Sequence, residues 1–325
     1  MRKVLVSVSH YDTLCREAWN YMEEHGYQII FDPARKFPAY TTEEIEALPE
    51  REDIAAVLIG MDDFRDERKY RALPNLKAVV KFGVGVDNID HSLAERYGVK
   101  VLNAPGQNAN AVAELTVGFM IMLMRHILPL HEEVEKGLWP RFMGNELRGK
   151  TVGLLGFGAI ANLVAEKLRC FGVKMMAYDL YPNEEKARAL GVKMTTQEEV
   201  IQNSDIVSVH IPATPETYHL FDGNKIAKMK DGAVLINPAR GALVDLDALA
   251  EALQSGKLFG AALDAFEVEP LPKNAEILKC KNVILTPHTG GETREAYHNL
   301  SMATAKDIIK VLEGGERRTN ETFNR

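Results

Sequence analysis

A chain of 325 residues with 46% hydrophobic content is long enough to bury two cores of ordinary size, so two domains are expected. A formal net charge of -7 with no basic run excludes a nucleic-acid surface, which needs clustered Lys and Arg. The three cysteines, Cys15, Cys170 and Cys280, are scattered without a close pair, which excludes a disulfide framework or zinc site; no metal is expected, and a reducing cytoplasm is the expected location.

In chain order, the start MRKVLVSVSHYD has an apolar run too short for a signal peptide. The first half then offers five short apolar runs: VLVSV (4–8), YQIIF (27–31), AAVLIG (55–60), LKAVVKFG (76–83) and KVLNAP (100–105). Amphipathic stretches separate them, the pattern of parallel strands joined by crossover helices. One long, largely buried helix is expected over NAVAELTVGFMIMLMRHILPLHEEVEKG (110–137), because its apolar residues recur at helical spacing nearly all round. Its longest apolar run, VGFMIMLM, falls well short of the roughly 20 residues of a membrane span. Six strand candidates follow, TVGLLGFG, KMMAYD, DIVSVHIP, AVLINPAR, FGAALDAF and VILTPH, with helices between them. The last segment, SMATAKDIIKVLEG (301–314), reads as a helix that returns to the first domain.

The stretch KTVGLLGFGAIANLVAEKL, from Lys150, contains Gly156-Phe157-Gly158-Ala159-Ile160-Ala161. This is a dinucleotide fingerprint with alanine at its third glycine position. A strand precedes it, a helix follows, and a second strand ends in Asp179, where an acidic group meets ribose hydroxyls. Gly156 allows the tight turn, and Gly158 lets the backbone approach a pyrophosphate at the positive helix N-terminus. Asp179 would repel a 2'-phosphate, and the following Leu180, Tyr181 and Pro182 supply no arginine to hold one. The expected cofactor is NAD.

The last three strand candidates deliver Arg240, then Asp264 with Glu269 just beyond, then His288, to the carboxyl edge where open α/β sheets bind ligands. Arginine holds a planar carboxylate by two parallel hydrogen bonds. Histidine exchanges a proton near neutral pH, and a carboxylate on its other ring nitrogen fixes its tautomer and raises its pKa. Beside a nicotinamide, the set suits hydride transfer to a 2-keto acid, with His288 protonating the carbonyl oxygen. Glu267 competes with Glu269 for the place beside the histidine.

In the first half, KFGVGVDNID places Lys81 and the Gly83-Val84-Gly85 loop at a strand's carboxyl end, where backbone N–H groups and a lysine could hold a substrate carboxylate. The expected fold is therefore α/β with two Rossmann-like domains, an NAD-binding domain inserted into a flavodoxin-like substrate domain. The substrate domain takes 1–102 and the returning segment 290–325, the NAD-binding domain 103–289. A cleft between them would close over the reactants.

The motifs FGVGVDNID, NAPGQNANAVAELTVGFMIMLMR, RFMGNELRGKTVGLLGFGAIA, VHIPATPETYHL, LINPARGALVD, GAALDAFEVEPLP and TPHTGGET, in order through almost the whole chain, resemble the D-isomer-specific 2-hydroxyacid dehydrogenases, in particular the D-3-phosphoglycerate dehydrogenase branch. The resemblance implies that Arg240 binds and polarises the substrate, that His288 is the acid/base and that Glu269 rather than Glu267 pairs with it. Asp264 would meet the nicotinamide carboxamide, Asp179 the adenosine ribose, and Ala159 and Ile160 the pyrophosphate. Val84, Ile211, Pro212, Thr217, Pro238, Ala239 and Gly291 fall where the family touches cofactor, and Lys81, Val84 and Gly85 on the substrate side. It also implies a homodimer through the cofactor domain, with the helix around Glu114 taking part.

Two departures bear on substrate. Phosphoglycerate-specific members carry a further arginine where this chain has Gly60 and Met61. The sequence also ends at Arg325, where many phosphoglycerate dehydrogenases continue into a regulatory domain, so serine feedback through one is not expected. A small D-2-hydroxy acid or its keto form is the expected substrate, D-3-phosphoglycerate among the candidates. Glyoxylate or hydroxypyruvate reduction is the nearest rival, and an NAD-sensing corepressor the alternative of another class.

Overall fold

The computed structural model describes residues 2–35 and 39–315. The chain divides into two compact units, Met1–Asn108 with Glu292–Arg325, and Ala109–Gly291.

In the first unit, β1 (Lys3–Ser7) is followed by α1 (Tyr11–Leu14), α2 (Arg16–Glu24), β2 (Gln28–Ile30), α3 (Thr42–Glu46), β3 (Ile54–Ile59), α4 (Glu67–Ala72), β4 (Ala78–Lys81), α5 (His91–Arg96) and β5 (Lys100–Leu102). The strands form one parallel sheet in the order β2-β1-β3-β4-β5, the flavodoxin-like order. Alternation along each strand feeds two cores. Val4, Val6, Leu58 and Val80 pack into one, while Leu5, Val57, Ile59 and Val79 pack into the other. Because both faces are covered, β3 is buried at every position and reads as an unbroken apolar run. The last helix, Arg294–Leu312, packs on α2, β3 and β4. It contributes Tyr297, Ile308 and Leu312 to the first of these cores, and Arg2 Nη1 donates to the Leu312 carbonyl at 2.7 Å.

The second unit begins with α6 (Ala109–Met124) and α7 (Ile127–Glu135) and continues through β6 (Thr151–Leu155), α8 (Ala159–Leu168), β7 (Lys174–Tyr178), α9 (Glu184–Leu190), β8 (Val192–Met194), α10 (Gln197–Asn203), β9 (Ile206–Val209), α11 (Gly223–Ala227), β10 (Ala233–Asn237), α12 (Leu246–Gln254), β11 (Leu258–Leu263) and β12 (Val283–Leu285). Its seven strands are all parallel, in the order β12-β11-β10-β9-β6-β7-β8. The order reverses between β6 and β9, the switch point at which doubly wound sheets open a ligand crevice.

Two expectations are corrected. The sheet has seven strands rather than six, because β8, only three residues long, pairs with β7 at the sheet edge. The single helix expected over 110–137 is two, bent by 63° at the junction of α6 and α7. The cause is Pro129, whose ring excludes the carbonyl four residues back, that of Arg125, and which has no N–H to offer it. The chain breaks at His126, which takes a left-handed conformation (φ 55). Its Nδ1 lies 3.0 Å from Asn282 Oδ1, and its ring stacks on Phe142. The apolar character of α6 is accounted for by burial against α8, β10, β11 and β12. Among the described residues no single helix is long and apolar enough to cross a membrane.

Candidate active site

Because all seven strands run the same way, their carboxyl ends share one edge, and the strand order fixes which residues are neighbours along it. From β7 through β6, β9, β10 and β11 to β12 the edge presents Asp179, the glycine turn, Ile211 to Thr217, Pro238 to Arg240, Asp264, and Thr286 to Gly291. Residues scattered over more than a hundred positions of sequence thus become one row.

At the β6 end, Gly156 has φ 88, and a Cβ on it would lie 2.6 Å from the His210 carbonyl oxygen. Both backbone and space therefore require glycine. Gly158 caps α8 with no side-chain partner, and a Cβ built there meets nothing within 4 Å. A helix N-terminus open to solvent at this point is what a pyrophosphate needs, so the residues present fit NAD. Ala161, in the third fingerprint position, is fully buried, where helix meets sheet. Asp179 accepts from Phe157 N at 2.6 Å and from Tyr181 N at 2.9 Å, which fixes its carboxylate beside the turn. On β9's exit, Thr217 Oγ1 donates to the Pro212 carbonyl at 2.9 Å and closes the Ile211 to Thr217 loop.

At the other end, His288 has φ 57, and its Nδ1 lies 3.2 Å from both oxygens of Glu269. Glu269 Oε1 also accepts from Phe266 N at 2.9 Å. Burial opposes ionisation of Glu269, yet the His288 imidazole, the Phe266 N–H and the charge of Arg240 hold its carboxyl below the usual carboxylate range. Arg240 is brought into this company by Gly241, on which a Cβ would fall inside the backbone of Phe266 and Glu267. Asn237, fully buried at the end of β10, donates to the Arg240 carbonyl at 2.8 Å and accepts from Ala239 N at 3.1 Å. Asp264 is 2% exposed and gathers the loop that carries His288. It accepts from Thr286 Oγ1 at 2.6 Å, Thr289 N at 2.8 Å and Gly290 N at 2.7 Å.

In the first unit, Lys81 Nζ donates to the Gly60 carbonyl and, at 3.3 Å, to Asn88 Oδ1, so it ties the ends of β3 and β4 together. The Gly83 and Val84 carbonyls accept from Ala104 N at 2.8 Å and Asn103 Nδ2 at 2.7 Å, while the Val84 side chain is exposed, as is Met61 at 62%. Arg65 forms a two-pronged pair with Asp63 at 2.9 and 2.8 Å.

Residues 117–290 match the family model of the D-isomer specific 2-hydroxyacid dehydrogenase NAD binding domain. The chain belongs to the D-isomer specific 2-hydroxyacid dehydrogenase family. It is 37% identical over 314 residues to a D-3-phosphoglycerate dehydrogenase of Archaeoglobus fulgidus, covering 96% of this chain and 58% of that protein. The chain thus spans little more than half of that relative. Over 276 residues it is 40% identical to a glyoxylate reductase of Thermofilum pendens, covering 83% of this chain and 81% of the relative. Among solved structures, the apo form of D-lactate dehydrogenase from Escherichia coli matches with a TM-score of 0.84 and 28% identity, covering 97% of this chain and 98% of that one.

One feature of this family member escaped the sequence reading. Glu267, the rival to Glu269, also pairs with a histidine, but a different one: its carboxylate lies 3.0 Å from His219 Nε2 and accepts from Tyr218 OH at 2.9 Å. Those partners lie 48 and 49 positions away in sequence, and no local spacing signals the contact.

Proposed function

We propose that the protein is an NAD-dependent oxidoreductase that interconverts a small 2-keto acid and its D-2-hydroxy acid. The observation that carries this reading is the placement of His288, Glu269 and Arg240 together on the strand edge that also carries the glycine turn. NADH, when bound, supplies the hydride that reduces the carbonyl carbon. Arg240 holds the substrate carboxylate by two parallel hydrogen bonds and polarises the carbonyl. His288 gives the proton from Nε2 to the carbonyl oxygen, and in the reverse direction accepts it from the hydroxyl. Glu269 holds His288 Nδ1 in its protonated form, so that Nε2 is the atom that exchanges. Gly158, Ala159 and Ile160 receive the pyrophosphate, Asp179 the ribose, and Val84, Ile211, Pro212, Thr217, Pro238, Ala239, Asp264 and Gly291 line the remaining cofactor contacts. Lys81, Val84 and Gly85 are the substrate-side residues of the first unit, and the unit Ala109–Gly291 serves as the NAD-binding domain.

A second reading, reduction of an unphosphorylated acid such as glyoxylate or hydroxypyruvate, is favoured by one observation. The position expected to carry a phosphate-binding arginine holds Gly60 and the exposed Met61, and Lys81 and Arg65 already bond to Asn88 and Asp63. Oxidation of NADH against 3-phosphohydroxypyruvate, hydroxypyruvate, glyoxylate and branched 2-keto acids tests both readings. A kcat/KM preference for the phosphorylated acid overturns the second, and turnover of none overturns the first.

The partner we propose is a second copy of the chain. Ile127, Val134, Leu138, Trp139, Phe142 and Met143 form a run of exposed apolar side chains along α7 and the segment after it, Trp139 at 77% and Met143 at 91%. Apolar area of that kind marks an interface. Three unpaired cysteines support a reducing, cytoplasmic setting.

A further inference from the structure

The turn that carries Glu269 closes on itself, its carboxylate accepting from Phe266 N three residues back. One side of the turn is pressed against Gly241. On another, a cavity of about 500 Å³ reaches Phe266, Glu267 and Val268, so packing alone does not hold that face. What holds it is Glu267, whose two oxygens engage Tyr218 OH at 2.9 Å and His219 Nε2 at 3.0 Å.

Tyr218 and His219 are successive residues of a turn. Here both reach one carboxylate because His219 takes a left-handed conformation, φ 46, which a non-glycine residue adopts only at a cost. The two rings stack with centroids 4.0 Å apart. The same segment is sewn to the one following Arg240, His219 N donating to the Ala242 carbonyl at 2.8 Å and Phe221 N to that of Leu243 at 3.0 Å. Segments 218–221, 240–243 and 266–269 are thereby laced together, and two of the three carry Arg240 and Glu269.

We propose that Glu267, clamped by Tyr218 and His219, is a positioning residue that sets Glu269 against His288 and Arg240. The inference rests on the reading of that pair given under the proposed function. The ionisable groups facing Glu267 are His219, Tyr218 and Asp245. Without the clamp the turn loosens, Glu269 loses the Phe266 N–H, and its carboxyl moves up toward its ordinary value.

The test compares Glu267→Ala with Glu267→Gln. The alanine variant is expected to lower kcat about tenfold, since small misplacements of reacting groups are costly, and to move the acidic limb of the kcat profile to higher pH while leaving KM for NADH unchanged. The glutamine variant, which can still bond both Tyr218 and His219, is expected to restore most of the rate. An alanine variant with wild-type rate and profile, or a glutamine variant as impaired as alanine, overturns the proposal. A wild-type protein that reduces no 2-keto acid refutes the underlying reading instead. The clamp is then tested separately by titrating the 13C-labelled Glu269 carboxyl by NMR, where a rise in Glu267→Ala supports it and an unmoved value overturns it. Should Glu267→Ala fail to fold, the exposed-site variant Tyr218→Phe is expected to move the same carboxyl in the same direction by less, and no movement overturns the proposal.

Discussion

Glu269 shows how one carboxylate is committed before any ligand arrives. Its carboxyl is held below the usual range by His288, the Phe266 N–H and Arg240 against the opposing effect of burial. A carboxylate whose folded-state pKa is depressed stabilises the fold fully above its unfolded value, near 4.3, and that stabilisation is lost as pH falls through the depressed value. The thermal-stability gap between wild type and Glu269→Gln is therefore expected to close as pH falls below about 4.3, the ordinary carboxylate value. A gap that widens with acid would contradict this. Arg240→Lys is expected to cut kcat/KM by about 100-fold, because an ammonium cannot make two parallel, coplanar hydrogen bonds to a carboxylate. Steady-state kinetics check it, and a change of less than threefold would exclude the two-pronged role.

At the scale of elements, the strands were legible because parallel strands buried on both faces leave continuous apolar runs, as IAAVLI of β3 does. β8 was not, since VKM has no length in which a pattern can show. The break between α6 and α7 had a visible cause in Pro129, but the hydrophobic periodicity ran through it and masked the kink. Gly156 was readable from its motif, whereas Gly241 was not, because the backbone it must touch lies some 25 residues on, at Phe266 and Glu267. Its importance yields a prediction. Gly241→Ala is expected to force those backbones apart, destabilising the fold by about 1–3 kcal/mol and lowering kcat by displacing Arg240 from Glu269. Urea unfolding with parallel kinetics measures both, and a variant of wild-type stability would show that the turn yields freely.

For the whole molecule, each of the two units has its own parallel sheet and its own carboxyl edge. The residues proposed for cofactor and acid/base roles lie along the edge in Ala109–Gly291; Lys81, Val84 and Gly85 lie at the carboxyl edge of the other unit. The residue types of the candidate site were legible because each sits at a strand end, where chemistry collects. The surroundings of Lys81 and Met61 were not, since no spacing shows that Lys81 turns to Gly60 and Asn88 or that Met61 lies exposed. If the apolar run along α7 is an interface between copies, Trp139→Asp is expected to convert a dimer to a monomer by light scattering at micromolar concentration, with an unchanged mass refuting that surface. The central claim is that His288 passes a proton to a 2-keto acid reduced by NADH. It is tested most directly by single-turnover oxidation of bound NADH in wild type and His288→Ala, with NADH and keto acid both saturating. The account predicts a rate lower by about 10²–10⁴-fold in the variant with NADH affinity preserved; a variant that reduces the acid at the wild-type rate would contradict it.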